Sequence, residues 1–300
     1  MHTQAQTTEA ATQTGLGMDQ WPADQLSAYL CQAQMASLQC LETASQPLAE
    51  AGEAAVTRLQ TGQGRLIYCG AGSAGAQACM DGMELPGTYG WPQARLAVLL
   101  AGGLECFLQD DGSAEDDTAA GVQAFHALQP KDADVLVAVS ASGNTPYTVA
   151  IAQAARQTST LVIGLCNNHG SSLQQCADYS IVLTTGAEAV AGSTRMAAGT
   201  AQKIALNTLS TLVMARLGYL YDNLMVNMRI SNQKLIGRGA GMVARIGQCS
   251  TAQAEQCLQQ AQGHIPLAVL LARGLELAAA HELLARHGNR LRAAMQALGQ

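Results

Sequence analysis

Four short stretches of this 300-residue chain hold side chains that could do chemistry. Two are acidic. "DGMELPGTYG" carries Asp81 and Glu84, and "GSAEDDTAAG" carries Glu115, Asp116 and Asp117. Two carboxylates in separate surroundings can act as general acid and general base. The same residues also suit a solvated surface or a helix N-cap, which Asp116 and Asp117 fit well. The third stretch, "VSASGNTP", follows the apolar run "ADVLVA". Ser140, Ser142 and Thr145 offer three hydroxyls around Asn144, and Gly143 lets the backbone approach an anion closely. Pro146 suits the first position of a helix, whose open amides and partial positive charge would hold a phosphate without a lysine cluster. An ordinary strand-to-helix turn capped by Ser or Thr explains the same residues. In the fourth, "GAGSAG" from Gly70 to Gly75, the third glycine comes one residue early for a dinucleotide fingerprint. No acid ends the next strand to take a ribose, so Gly72 and Ser73 read instead as a second polar loop at a phosphate crevice.

Other candidates are weaker. Ser193, Thr194 and Arg195 in "GSTR", with Gln202 and Lys203, could line a crevice, form a dimer contact or cap the next helix, and Asn232 and Lys234 have the same standing. His169 reads as a loop histidine. No Ser–His–Asp arrangement and no metal-ligand spacing is visible, and no cofactor is expected.

Positioning these residues needs a scaffold. "RLIYCG", "ARLAVLLAGG", "ADVLVAVS", "STLVIGLCNN" and "DYSIVLTTG" are five near-continuous apolar runs. Helices fit between several of them, for example over 146–157 and 171–177. Such runs, separated by helices, predict a parallel sheet covered on both faces. Right-handed crossovers then limit the fold to an α/β, doubly wound, five-stranded sheet with flanking helices. In the flavodoxin-like order the first and third strands, 65–69 and 134–139, are neighbours, so "GAGSAG" and "SASGNT" would face one crevice. Helices are also expected over 24–60, 196–216 and 221–238. Residues 1–23 read as a disordered tail, 24–245 as the sheet domain, and 246–300 as a small helical module.

The totals bound the partners. A net charge of −6 and a pI near 5.5 argue against nucleic acid, and no Lys/Arg run suggests a membrane surface. No apolar run reaches membrane-spanning length. The opening residues lack the basic start and apolar stretch of a signal peptide, and the nine cysteines include no CxxC pair. Reduced, buried thiols in a cytoplasmic protein are therefore expected.

Together, "DGMELPGTYG", "AEDD", "ASGNTPY", "GSTRMAAGTAQKIALNTLST", "NLMVN" and "SNQKLIGR" resemble the N-acetylmuramic acid 6-phosphate etherases. These are sugar isomerase (SIS) domain proteins with the glucokinase regulatory protein as a relative. The likeness runs from roughly residue 25 to the C-terminus and is most specific over 188–238. It implies cleavage of a D-lactyl ether to N-acetylglucosamine 6-phosphate and D-lactate, with water as co-substrate and no metal. It also implies a cytoplasmic homodimer acting in cell-wall sugar recycling, with a ubiquitin-associated-like C-terminal module. The resemblance puts the proton donor at Glu84, the base at Glu115, and the phosphate loop at Ser140, Ser142 and Thr145.

Departures from the family pattern fall near the sugar. "GAGSAGA" stands where GAGTSGR is usual, so Ala74 replaces a serine and Ala76 an arginine. A Gln/Thr/Ala-rich opening stands where the family has a Thr-Glu and Asn pattern. These changes leave room for a regulatory sugar-phosphate sensor that has lost catalysis. An aldose–ketose isomerase would use the same fold, but the 188–238 match argues against it.

Overall fold

The computed structural model describes residues 7–107 and 112–299, with the backbone alone for Cys106 and Phe107. Its elements are α1 (Ala23–Ser37), α2 (Cys40–Leu59), β1 (Leu66–Gly70), α3 (Gly72–Tyr89), β2 (Leu96–Leu100), α4 (Thr118–Ala127), β3 (Val135–Ser140), α5 (Pro146–Gln157), β4 (Leu161–Cys166), α6 (Ser172–Cys176), β5 (Tyr179–Val182), α7 (Ala197–Leu217), α8 (Gln233–Gly247), α9 (Thr251–Gln260), α10 (Ile265–Ala272), α11 (Leu277–Arg286) and α12 (Leu291–Ala297).

The five strands form one sheet in the order β2-β1-β3-β4-β5, every pair parallel. This is the expected doubly wound arrangement, with β1 beside β3. Each residue of β1, β3 and β4 is buried, as their unbroken apolar runs require. Ile67, Cys69, Leu136, Ala138 and Val162 share a core with Ile151, Ala152 and Ala155 of α5. At the opposite end of the strands from the candidate loops, Arg65 pairs with the fully buried Asp134 at 2.6 Å. Asp134 also accepts the backbone N–H groups of Arg65 and Lys131. Burial alone would raise its pKa, but the Arg65 hydrogen bonds and these amides hold it below the usual carboxylate value.

The chain divides into two compact units. One comprises Met1–Gly82 and Ala94–Leu212, the other Met83–Gln93 and Val213–Gln300. The second unit is larger than the expected 246–300 module. Its core joins Val226 and Met228, Ala240, Met242, Val243 and Ile246 of α8, and the buried faces of α9 to α12. The texture change near Gly247 is therefore a turn inside one core. The helix expected over 221–238 also differs. Residues 221–232 form turns, and α8 starts only at Gln233, capped by the Asn232 side chain on the Leu235 amide. It continues through Gly239, where a β-carbon would stand 2.9 Å from Ile230. That glycine serves close packing and does not break the helix.

The opening segment departs from a tail. Among its described residues, Thr7–Glu9, Gln13–Gly15 and Met18–Gln20 form three short 3-10 turns. Residues 1–6 of the expected tail lie outside the described residues. The described cysteines are thiols and form no disulfide, and burial raises the Cys69 and Cys166 thiols, which disfavours the nucleophilic thiolate.

Candidate functional site

The sheet domain brings the two expected loops to the carboxyl end of adjacent strands. Ser140, the last residue of β3, is 1% exposed. Its Oγ lies 2.8 Å from Thr145 Oγ1 and 3.3 Å from Ser142 Oγ. The Gly143 amide donates to Ser140 Oγ and the Asn144 amide to Ser142 Oγ, each at 3.0 Å. Gly143 has φ +70°, and a β-carbon there would collide with Ser171. Asn144 holds the far side by accepting the Ser172 amide at 2.9 Å. The loop is thus a tight ring of neutral hydroxyls and amides bonded to one another.

Thr145 stands at the N-cap of α5, with Pro146 in the first turn, but its side chain makes no capping hydrogen bond. It turns to Ser140 instead. This departs from an ordinary capped turn, because the start of α5 keeps its positive end unmet by that hydroxyl.

Gly70 and Gly75 pack on each other at the β1–α3 turn, where a β-carbon on Gly70 would come 2.8 Å from Gly75 Cα. Two glycines of "GAGSAG" therefore serve the close strand-to-helix turn. Gly72 begins α3 with φ +51°, and a β-carbon on it would collide with Glu115 Oε1. Glu115 itself sits in the 3-10 turn Ser113–Asp116. Its carboxylate therefore lies against the positive end of an 18-residue helix, a favourable setting for a negative charge. Ser73 is half-buried in the same turn. Ala74, one of the departures, is 6% exposed and faces the interior.

Asp117 caps α4 by accepting the Ala120 amide, the structural role expected for it. Asp81 is also structural. It is 3% exposed and accepts from Tyr68 Oη (2.7 Å), Asn207 Nδ2 (2.6 Å) and Ser210 Oγ (3.0 Å). Glu84 stands exposed on α3, twelve residues beyond Gly72 and within the second unit. Ser193, Thr194 and Arg195 form the turn before α7, with the Gly199 amide donating to the Thr194 carbonyl.

The sheet domain matches the SIS domain family model over residues 28–167, and residues 222–264 match the C-terminal lid domain of glucokinase regulatory protein. The chain is 40% identical to an N-acetylmuramic acid 6-phosphate etherase of Deinococcus radiodurans, over 94% of this chain and 92% of that one. This chain belongs to the N-acetylmuramic acid 6-phosphate etherase family. It is also 34% identical to N-acetylmuramic acid 6-phosphate etherase 1 of Enterococcus faecalis, over 97% of both chains. A phosphoheptose isomerase structure from Francisella tularensis is similar at 19% identity and a TM-score of 0.48, over 66% of this chain and 98% of that one.

In this family member, several residues at the loops escaped sequence reading. Glu188, 1% exposed, accepts the Ala197 and Ala198 amides at 2.9 Å each and so caps α7. It lies nine residues upstream, outside the spacing of any local cap motif. Asn167 accepts from Gln202 Nε2 at 2.8 Å, which ties β4 to α7. Asn168 joins three loops through one side chain. The only hint in the sequence was the paired asparagine after the β4 run.

Proposed function

We propose that this protein is an etherase that cleaves the D-lactyl ether of N-acetylmuramic acid 6-phosphate by elimination and water addition, a carbon–oxygen lyase reaction. The observation that carries the reading is the 40% identity to an etherase along nearly the whole of both chains. The hydroxyl ring of Ser140, Ser142 and Thr145, with Gly143 and Asn144, supports it as a holder for the 6-phosphate at the start of α5. Gly72 and Ser73 form the facing wall, and Ser193, Thr194 and Arg195 border the sugar. No group beyond these side chains and water enters the scheme.

In the open-chain sugar, C2 is α to the C1 aldehyde and C3 bears the ether. Glu115 takes the C2 proton. The C2–C3 double bond forms as the C3–O bond breaks, and the electron pair leaves on the lactate oxygen, which Glu84 protonates. Water then adds at C3, giving one proton back to Glu84 while C2 regains a proton from Glu115. The products are N-acetylglucosamine 6-phosphate and D-lactate, and positioning supplies much of the rate.

Both acids must reach one sugar. The proposal takes a homodimer in which the partner subunit completes each pocket. Support comes from exposed Met80 (49%) and Met83 (62%) beside Glu84, an apolar surface suited to cover by a second copy. No helix among the described residues is long and apolar enough to cross a membrane, and the proposed setting is cytoplasmic.

Incubating the purified protein with N-acetylmuramic acid 6-phosphate and assaying D-lactate tests the reading. The match of residues 222–264 to a regulatory protein's lid domain favours a second reading, sugar-phosphate sensing without turnover. Tight binding of the sugar phosphate with no lactate release would select it.

A further inference from the structure

The Asn168 side chain uses all of its hydrogen-bonding capacity, on four groups from two distant parts of the chain. Its Oδ1 accepts from the Thr7 amide at 2.9 Å and from Thr7 Oγ1 at 3.0 Å. Its Nδ2 donates to Thr8 Oγ1 at 3.2 Å and to the Ala141 carbonyl at 3.0 Å. The amide orientation is fixed, because reversing it would set an NH2 group against the Thr7 N–H and an oxygen against the Ala141 carbonyl. Ala141 lies between Ser140 and Ser142, and its carbonyl also accepts the Asn167 amide at 3.0 Å. Thr8 is fully buried, and its carbonyl accepts the Gly192 amide at 3.0 Å, one residue before Ser193. The turn Thr7–Glu9 thereby connects the hydroxyl ring to the Ser193–Arg195 turn, all within the sheet domain.

The geometry points to Asn168 as a positioning residue for the phosphate loop, with the N-terminal turn Thr7–Glu9 as a built part of the ligand end, coupled to anion binding through it. This rests on the reading of Ser140–Thr145 as the phosphate site. Asn168 reaches no anion itself. It fixes the peptide that aims Ser140 and Ser142, and it does so fully only while Thr7 and Thr8 complete its partners. A bound phosphate would in turn tighten the turn, since coupling between two sites is reciprocal.

The test measures inorganic phosphate affinity by calorimetry for the parent, Thr8→Val, Thr8→Ser and a chain starting at Ala10. Thr8→Val keeps the shape and removes the hydroxyl that Asn168 needs, and Thr8→Ser restores it. The expected result is weaker phosphate binding in Thr8→Val and in the shortened chain, within the roughly 5–150-fold range typical of coupled sites, and near-parent binding in Thr8→Ser. Hydrogen exchange on the parent gives a second readout that needs no variant: phosphate should slow exchange of the Thr7 and Gly192 amides. A parent that binds no phosphate overturns the phosphate-loop reading and this inference with it. A parent that binds, with variants that match it and amides that phosphate leaves unchanged, overturns this inference alone.

Discussion

The Glu115 carboxylate occupies the space that a β-carbon on Gly72 would need. The contact joins the 3-10 turn Ser113–Asp116 to the first residue of α3, so a side chain added at Gly72 must displace the Glu115 carboxylate. Gly72→Ala should therefore harm chemistry more than folding. Its positive φ adds about 1–2 kcal/mol of strain. A displaced base costs on the order of 100-fold in lactate release for a shift near 1 Å. Thermal melting and steady-state lactate assays separate the two effects, and a variant with parent-like turnover would remove Glu115 from the reaction.

The division of labour can be read in D2O. With Glu115→Gln, both lactate release and exchange of the C2 proton should stop. With Glu84→Gln, lactate release should slow by roughly 10²–10⁴-fold, the usual contribution of a general acid, while C2 exchange stays measurable. Proton NMR of the substrate follows both events. Normal C2 exchange in Glu115→Gln, with none in Glu84→Gln, would mean that the roles are reversed.

Subunit mixing tests where the acid comes from. If each site takes Glu115 from one chain and Glu84 from the other, a Glu84→Gln/Glu115→Gln heterodimer holds one intact site. An equal mixture allowed to exchange should recover roughly a quarter of parent activity in a two-fold dimer. Failure to recover any activity, with heterodimers verified by mass, would require both acids to act within one chain.

Glu188 should matter for stability. Glu188→Ala leaves the Ala197 and Ala198 amides without their buried acceptor at the head of α7. The expected loss is roughly 1.5–3 kcal/mol, as for a hydrogen bond to a charged group, read from urea unfolding. An unchanged midpoint would mean that other groups cap this helix equally well.

Acid should weaken the fold through Asp134. Its pKa lies below the ordinary aspartate value of 3.8 in the folded chain. The folded state thus favours the charged form. The stabilisation is complete above the unfolded value and is lost as pH falls below 3.8 through the folded value. Replacing Arg65 with Met strands a buried carboxylate and should cost about 3–5 kcal/mol at neutral pH. Stability of the parent and of Arg65→Met against pH should converge at the acid end.

The sequence exposed those features that physics repeats locally. Unbroken apolar runs around Ile67, Leu136 and Ile163 mark strands buried on both faces, and their spacing leaves room for crossover helices, which sets the sheet order. The "SASGNT" loop was legible because hydroxyls and a glycine directly follow a strand. What stayed hidden depends on partners distant in sequence. Glu188 caps a helix from nine residues away, and Asn168 bonds to Thr7 across 161 positions, with no period or motif linking them. The start of α8 was hidden for a related reason, since residues 221–232 form turns and the helix begins at Gln233. Gly239 lies inside that helix, where a β-carbon would stand 2.9 Å from Ile230, a neighbour that only the fold supplies.

The separation of Thr7 from Asn168 also has a consequence in time. Thr7 leaves the ribosome 161 residues before the side chain it must meet. At about 5–20 residues per second this is a wait of roughly 10–30 s. During that interval β1 to β4 can assemble, but the corner where Ala141, Asn168 and Gly192 meet cannot close. These residues thus dock only after Gly192 has been made, and a bulky tag fused just ahead of them would travel to that corner and crowd it.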